Sequence, residues 1–233
     1  MKKFFILLLA LLLLCSTALA DASLQVVNTM YQIIPYYDSA IGVYYAEVVN
    51  NGDTLICLDD ERSRVEVMDS EGNVVLSEEI WNTTPAVLAP GETGYVVPFR
   101  MYMDEVDVSA LTDYAIHLYA EEATYFDPTA YLPVDGISAE FRVETDDWGD
   151  AVTTLYTTFT NTSDQVAYNF NFVLGVYDEG GALIYTCDAS TFDVGVPVGE
   201  SVIVRSKIDE VITSYWAENG IVPASVNVIG YYN

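Results

Sequence analysis

The chain has 233 residues, of which 52% are hydrophobic, 13% aromatic and 18% charged, a composition that supplies a packed core and excludes an intrinsically disordered chain. Asp and Glu number 35 against 8 Lys and Arg, for a formal net charge of -27. So large a surplus of negative charge repels polyanions, which excludes nucleic acid and anionic lipid as partners.

Residues 1–20, MKKFFILLLALLLLCSTALA, begin with Lys2 and Lys3, run through apolar Phe4 to Leu14 and end in Ala18, Leu19 and Ala20. A basic start, a short apolar run and small final residues predict a secretory signal peptide cleaved before Asp21. The run is shorter than the roughly 20 residues that a membrane-spanning helix needs. Cys15 follows bulky Leu14, where a bacterial lipobox has a small residue, so cleavage without lipidation is expected. The expected product is secreted or extracellular, associated with the cell envelope and not inserted in the membrane.

After this leader, Leu24 to Ile34 predicts a first strand. Tyr45 to Asp53, YAEVVNNGD, is a strand running into an Asn-rich turn, and Val65 to Val75, VEVMDSEGNVV, is a hairpin around an Asp and Gly turn. Leu88 to Thr93, LAPGET, is a Pro and Gly turn before another strand; Asp104 to Thr112 carries a faint helical period, and Tyr114 to Ala120 alternates as a strand. Alternation lapses at Asp127, Pro128 and Pro133 to Gly136, which predicts a linker over 127–136.

The series then recurs in the same order: SAEFRVE from Ser138, YTTFTNTSD from Tyr156, LGVYDEGGALI from Leu174 and VPVGES from Val196. Asp53 and Asp164, Asp69 and Asp178, and Gly91 and Gly199 are each about 110 residues apart. In the second copy Ile208, Val211, Ile212, Tyr215 and Trp216 share a helical face, with Ser206 and Asp209 as a capping pair and Asn219 and Gly220 as the stop. The expectation is an all-β chain of two tandem β-sandwiches, residues 21–126 and 137–233, with a short helix in the second.

Leu174, Val176, Tyr177 and Asp178, with their counterparts Val65, Val67, Met68 and Asp69, end a strand just before a Gly-containing turn. In this the chain resembles the FxLYD-type family of bacterial extracellular domains. Asn50 and Asn161 in the preceding turn, and Pro90, Gly91 and Pro197, Gly199, look like the same family's other marks, while Leu174 and Val65 replace its Phe and Met68 its Tyr. The resemblance implies an immunoglobulin-like sandwich on secreted or envelope-attached proteins, with no enzymatic activity attached to the fold. Physically, the motif's Asp accepts hydrogen bonds from turn amides while its apolar residues fill the core.

The chemistry-bearing residues are few. The one histidine, His117, sits on an alternating strand with Ile116 and Leu118 facing the other way, a structural placement rather than a catalytic or metal-binding one. After the leader there is one lysine, Lys207, with scattered arginines and no Gly-rich phosphate loop, which excludes phosphate chemistry. The acidic runs Asp59, Asp60, Glu61 and Asp146, Asp147, Asp150 lack the regular spacing of a calcium loop and read as solvated surface. Cys57 and Cys187 stand at non-equivalent positions in the two copies and are expected as buried free thiols, with a bridge between the domains or between two chains as the alternatives.

Trp216 belongs to the helix face, Trp81 to the segment before Leu88, and Trp148 to an exposed acidic turn; Tyr36 and Tyr37 follow Pro35 in an expected edge loop. The sequons at Asn82 and Asn161 carry little weight behind a bacterial leader. No catalytic, cofactor-binding or metal residue is assigned. The expectation is a non-catalytic extracellular binding or spacer module, with a protein or glycan of the cell surface as partner. The alternatives are a carbohydrate-active or other hydrolytic accessory protein using a carboxylate pair, and a purely structural envelope component.

Overall fold

The computed structural model describes residues 22–36, 39–97, 101–103, 106–126, 134–145, 149, 151–191 and 193–232. The leader, Tyr37, residues 127–133 of the expected linker, and Asp146, Asp147, Trp148 and Asp150 lie outside the described residues. Within them the chain is all-β apart from one α-helix and one 3₁₀ turn. Strands β1 (Leu24–Tyr36), β2 (Ser39–Asn50) and β7 (Thr93–Val96) form an antiparallel sheet in the order β1-β2-β7, with β8 (Met101–Tyr102) also on β2. A second sheet runs β5-β4-β9, from β4 (Arg64–Asp69), β5 (Val74–Glu79) and β9 (Leu111–His117). A small third sheet joins β3 (Ile56–Leu58) to β6 (Val87–Leu88) and β10 (Ala120–Glu122).

From residue 137 the two main orders return. Strands β11 (Ile137–Thr145), β12 (Ala151–Thr160) and β15 (Ser201–Lys207) pair as β11-β12-β15; β13 (Phe170–Asp178), β14 (Leu183–Ser190) and β16 (Pro223–Tyr232) pair as β14-β13-β16. Even the irregularities correspond. β4 slips register against β5 between Val67 and Met68 and against β9 between Met68 and Asp69; β13 slips against β14 between Val176 and Tyr177 and against β16 between Tyr177 and Asp178.

The turns match bond for bond. Asp69 Oδ1 accepts from the amides of Glu71 and Asn73, both at 2.9 Å, and Asp178 Oδ1 accepts from those of Gly180 and Ala182 at 2.8 and 2.9 Å. Buried Asn50 donates from Nδ2 to the carbonyls of Thr54 and Leu88 and accepts from the Gly52 amide; Asn161 donates to those of Gln165 and Val196 and accepts from the Ser163 amide. A buried amide with all its bonds made holds the turn against the strand that follows it. The Asn161 sequon is therefore an internal strut in the folded chain.

Packing sets how these sheets lie. Tyr44 and Ala46 on β2 pack with Val65 and Val67 of β4, while Ile41, Val43 and Tyr45, alternating with them, join one core with Val173, Leu174 and Ile184 of the later strands. Sheet β1-β2-β7 is thus covered on both faces. Sheet β14-β13-β16 is covered likewise, because Leu155 and Phe159 of β12 pack on Phe170 and Phe172. The four larger sheets stack as layers, with β5-β4-β9 and β11-β12-β15 outermost.

The seam between the two inner sheets is closed by Tyr95. Its ring is fully buried over Gly175, where a Cβ would come within 2.6 Å of the ring. Its hydroxyl hydrogen-bonds that of Tyr177 at 2.8 Å and accepts from Asn227 at 3.0 Å, and burial raises the pKa of both tyrosines. Thr186 donates to the Val96 carbonyl at 2.9 Å across the same seam.

Two local expectations are corrected. The helix α1 (Glu210–Asn219) is capped by Asp209, which accepts from the Val211 amide; Ser206 is still paired with Leu155 in β15, so its extended backbone holds it away from the first turn. Gly220, at φ 66, ends the helix as expected. The strand over Tyr114 to Ala120 breaks after His117, because Ser63 accepts from the Tyr119 amide and diverts the chain from β9 into β10 on another sheet. Of the faint helical period over Asp104 to Thr112, Asp104 and Glu105 lie outside the described residues, and Val108–Ala110 form a single 3₁₀ turn.

Gly175→Ala is expected to destabilise the fold by about 1 to 3 kcal/mol, read as a lower denaturant midpoint, since the tethered Tyr95 ring has no space to withdraw. Adding Tyr95→Leu should recover part of that loss, a coupling that two independent sites would not show. Asn73 and turn amides hold Asp69 below the ordinary carboxyl value of about 3.8. Asp69 therefore contributes stability above its unfolded pKa and loses it as the pH falls through its lower folded value. An NMR titration should find the Asp69 midpoint depressed, and Asn73→Ala should move it back up.

Candidate functional site

Edge strands β1 and β9 belong to facing sheets, and between them lies a cleft of about 260 Å³. At the corresponding edge of the second half β11 and β16 pack against one another, with Ile137 Cδ1 2.9 Å from where a Gly230 Cβ would sit. The cleft is walled by Tyr31 and Ile33 of β1, Val67 of β4, and Leu111, Thr112, Asp113 and Tyr114 of β9; Tyr215 enters from α1 in the other half of the chain.

Tyr31 and Tyr114 stack with ring centroids 5.3 Å apart and planes at 27°, an offset arrangement that aromatic pairs favour. Tyr31 lies across β2 at Gly42, where any Cβ would come within 2.4 Å of its hydroxyl, and burial raises its pKa. On the rim the exposed Asp113 accepts at Oδ1 from the Tyr114 amide at 2.8 Å; its Oδ2 has no partner among the described residues. Among the described residues the lining thus combines three aromatic rings, an apolar floor, one carboxylate and a threonine, with no cationic side chain.

A second hollow of about 220 Å³ lies between β7 and β16 on the seam, lined by Pro85, Glu92, Thr93, Asn227, Ile229 and Gly230 among others. On the outer face of β11-β12-β15, Arg142 and Arg205 sit 4.4 and 5.1 Å from the Tyr156 ring centroid. Arg142 pairs with Glu140 and Arg205 with Glu144, which also accepts from the Tyr156 hydroxyl at 2.5 Å, so each guanidinium already has its carboxylate.

The residues singled out in the sequence lie elsewhere. His117 is exposed, with Nε2 3.4 Å from Glu66 Oε2. Asp59 is engaged by Arg62 through its amide and its guanidinium. Trp81 is 67% exposed, whereas Trp216 is buried and meets Tyr185 edge-on at 6.1 Å. Tyr36 is half-buried in β1 rather than in a loop. Among the described residues, no group of three His, Cys, Asp or Glu is placed to hold a metal ion. Tyr31, Asp113, Tyr114 and Tyr215 carry no motif; only the stacking of the two halves brings Tyr215 to β1.

Neither a protein-family model nor a curated protein sequence matches the chain. Among solved structures it is similar to a calcium-binding mutant of Bacteroides uniformis beta-glucuronidase 2, at 12% identity and a TM-score of 0.22 over 84% of this chain. The chain spans about a quarter, 26%, of that chain's length. A likeness of that size carries no argument about fold or activity.

Cys57 and Cys187 are free. Burial, with Glu121 beside it, pushes the Cys57 thiol up to about 11, and burial with Asp188 pushes Cys187 up to about 12. A thiolate is the reactive form, so at pH 8 the folded protein should alkylate at least about a hundredfold more slowly than the unfolded chain at both positions. Rapid labelling of either in the native state would contradict this.

Proposed function

We propose that the chain is an exported bacterial protein, non-catalytic, that serves as a rigid extracellular binding module and presents the tyrosine cleft to a partner on the cell envelope. On this reading residues 1–20 are a cleaved signal peptide. Residues 21–126 and 137–233 are two copies of one immunoglobulin-like module of FxLYD type, and the paired Asn50 and Asn161 struts and Asp69 and Asp178 turns support that duplication.

The observation that carries the reading is the cleft itself, which three tyrosines from both halves of the chain line together with a carboxylate at the rim. Binding sites commonly take this form, apolar and aromatic with a few placed polar groups, on a scaffold that holds them still. The hydrolytic alternative needs two carboxylates facing one bond. Among the described residues Asp113 is the single carboxylate lining this cleft and Glu92 the single one lining the seam hollow, which favours binding over hydrolysis.

Residues 21–233 are expected to be retained on envelope preparations of the producing cell. The double variant Tyr114→Ser, Tyr215→Ser should lose at least about tenfold in affinity with its melting temperature held within a few degrees. Undiminished retention by that variant would overturn the reading.

A further inference from the structure

Resting on the reading of the tyrosine cleft as the binding site, we infer that its ligand is a positively charged organic group, an ammonium carrying methyl or methylene substituents. Three features of the lining point the same way. Aromatic faces carry negative potential, and a cation within about 6 Å of a ring centroid is drawn to them. Tyr31 and Tyr114, stacked at 27°, stand together in the wall, and Tyr215 adds a third ring from α1. The apolar floor of Ile33, Val67 and Leu111 suits methyl groups, and Asp113 supplies a formal negative charge at the rim, its Oδ1 held by the Tyr114 amide and its Oδ2 without a partner among the described residues.

The surroundings agree. Among the described residues no Lys, Arg or His lines the cleft, and the chain's net charge of -27 raises the local concentration of cations and repels anionic ligands. At about 260 Å³ the cleft falls just below the range of about 300 to 1,000 Å³ typical of drug-sized ligands, and so suits one headgroup rather than an extended molecule. A neutral sugar ring would use the aromatic wall but would gain nothing from the carboxylate's charge.

The ammonium can come from a free small molecule or from a lysine side chain of a partner, and the test separates the two. Calorimetric titration of residues 21–233 at low salt with choline, with its uncharged isostere 3,3-dimethyl-1-butanol, and with a peptide bearing trimethyl-lysine should show the cations binding at least about tenfold more tightly than the isostere. Raising the salt to 0.5 M should weaken only the cations. Preference for choline over the peptide identifies a small ligand, and the reverse identifies a protein side chain. Asp113→Asn keeps the acceptor for the Tyr114 amide and should lower cation affinity at least about threefold while leaving the isostere unchanged. Tyr114→Leu should lower cation affinity about fivefold or more.

Equal binding of the isostere, or no binding of any cation at 20 mM, would overturn the inference. If envelope retention still depends on Tyr114 and Tyr215 in that case, the ligand class is wrong and the binding module stands; if retention is indifferent to them, the module reading fails as well.

Discussion

Sheet β1-β2-β7 is buried on both faces, and the rest of the molecule is arranged around that constraint. Tyr44 and Ala46 turn one face to β4, and Ile41, Val43 and Tyr45 turn the other to the β13 sheet. β2, at the centre of that sheet, buries Ala40 to Ala46 without a break, so separating the halves would expose these residues and Tyr95 together with the polar groups paired across the seam. Gly175 permits this contact, since a side chain there would hold the two inner sheets apart. The tie between Tyr95, Tyr177 and Asn227 then fixes where along the seam the sheets meet.

The same constraint builds the cleft. α1 follows β15 of the second half, yet its Tyr215 lines a hollow whose other walls come from β1, β4 and β9 of the first. Only a fixed relation between the halves keeps that tyrosine beside the Tyr31 and Tyr114 stack. A binding site built this way owes its shape to the core beneath it, and the loops contribute little.

What was legible in the sequence was local. The Asp69 and Asp178 turns and the Asn50 and Asn161 struts could be read because their hydrogen bonds lie within a few residues or reach the next Pro and Gly turn. The helix face at Ile208, Ile212 and Trp216 was legible from its period. The shared core was not. Its signal was the run AIGVYYA from Ala40 to Ala46, which is continuously apolar where a half-exposed strand would alternate. The cleft left no signal at all, because Tyr31, Asp113, Tyr114 and Tyr215 are ordinary strand and helix residues until the layers stack.

The most direct test of this account is calorimetric unfolding of residues 21–233. A core shared across both halves predicts one transition, with calorimetric and van't Hoff enthalpies equal. Two separable transitions, one for each half, would contradict it.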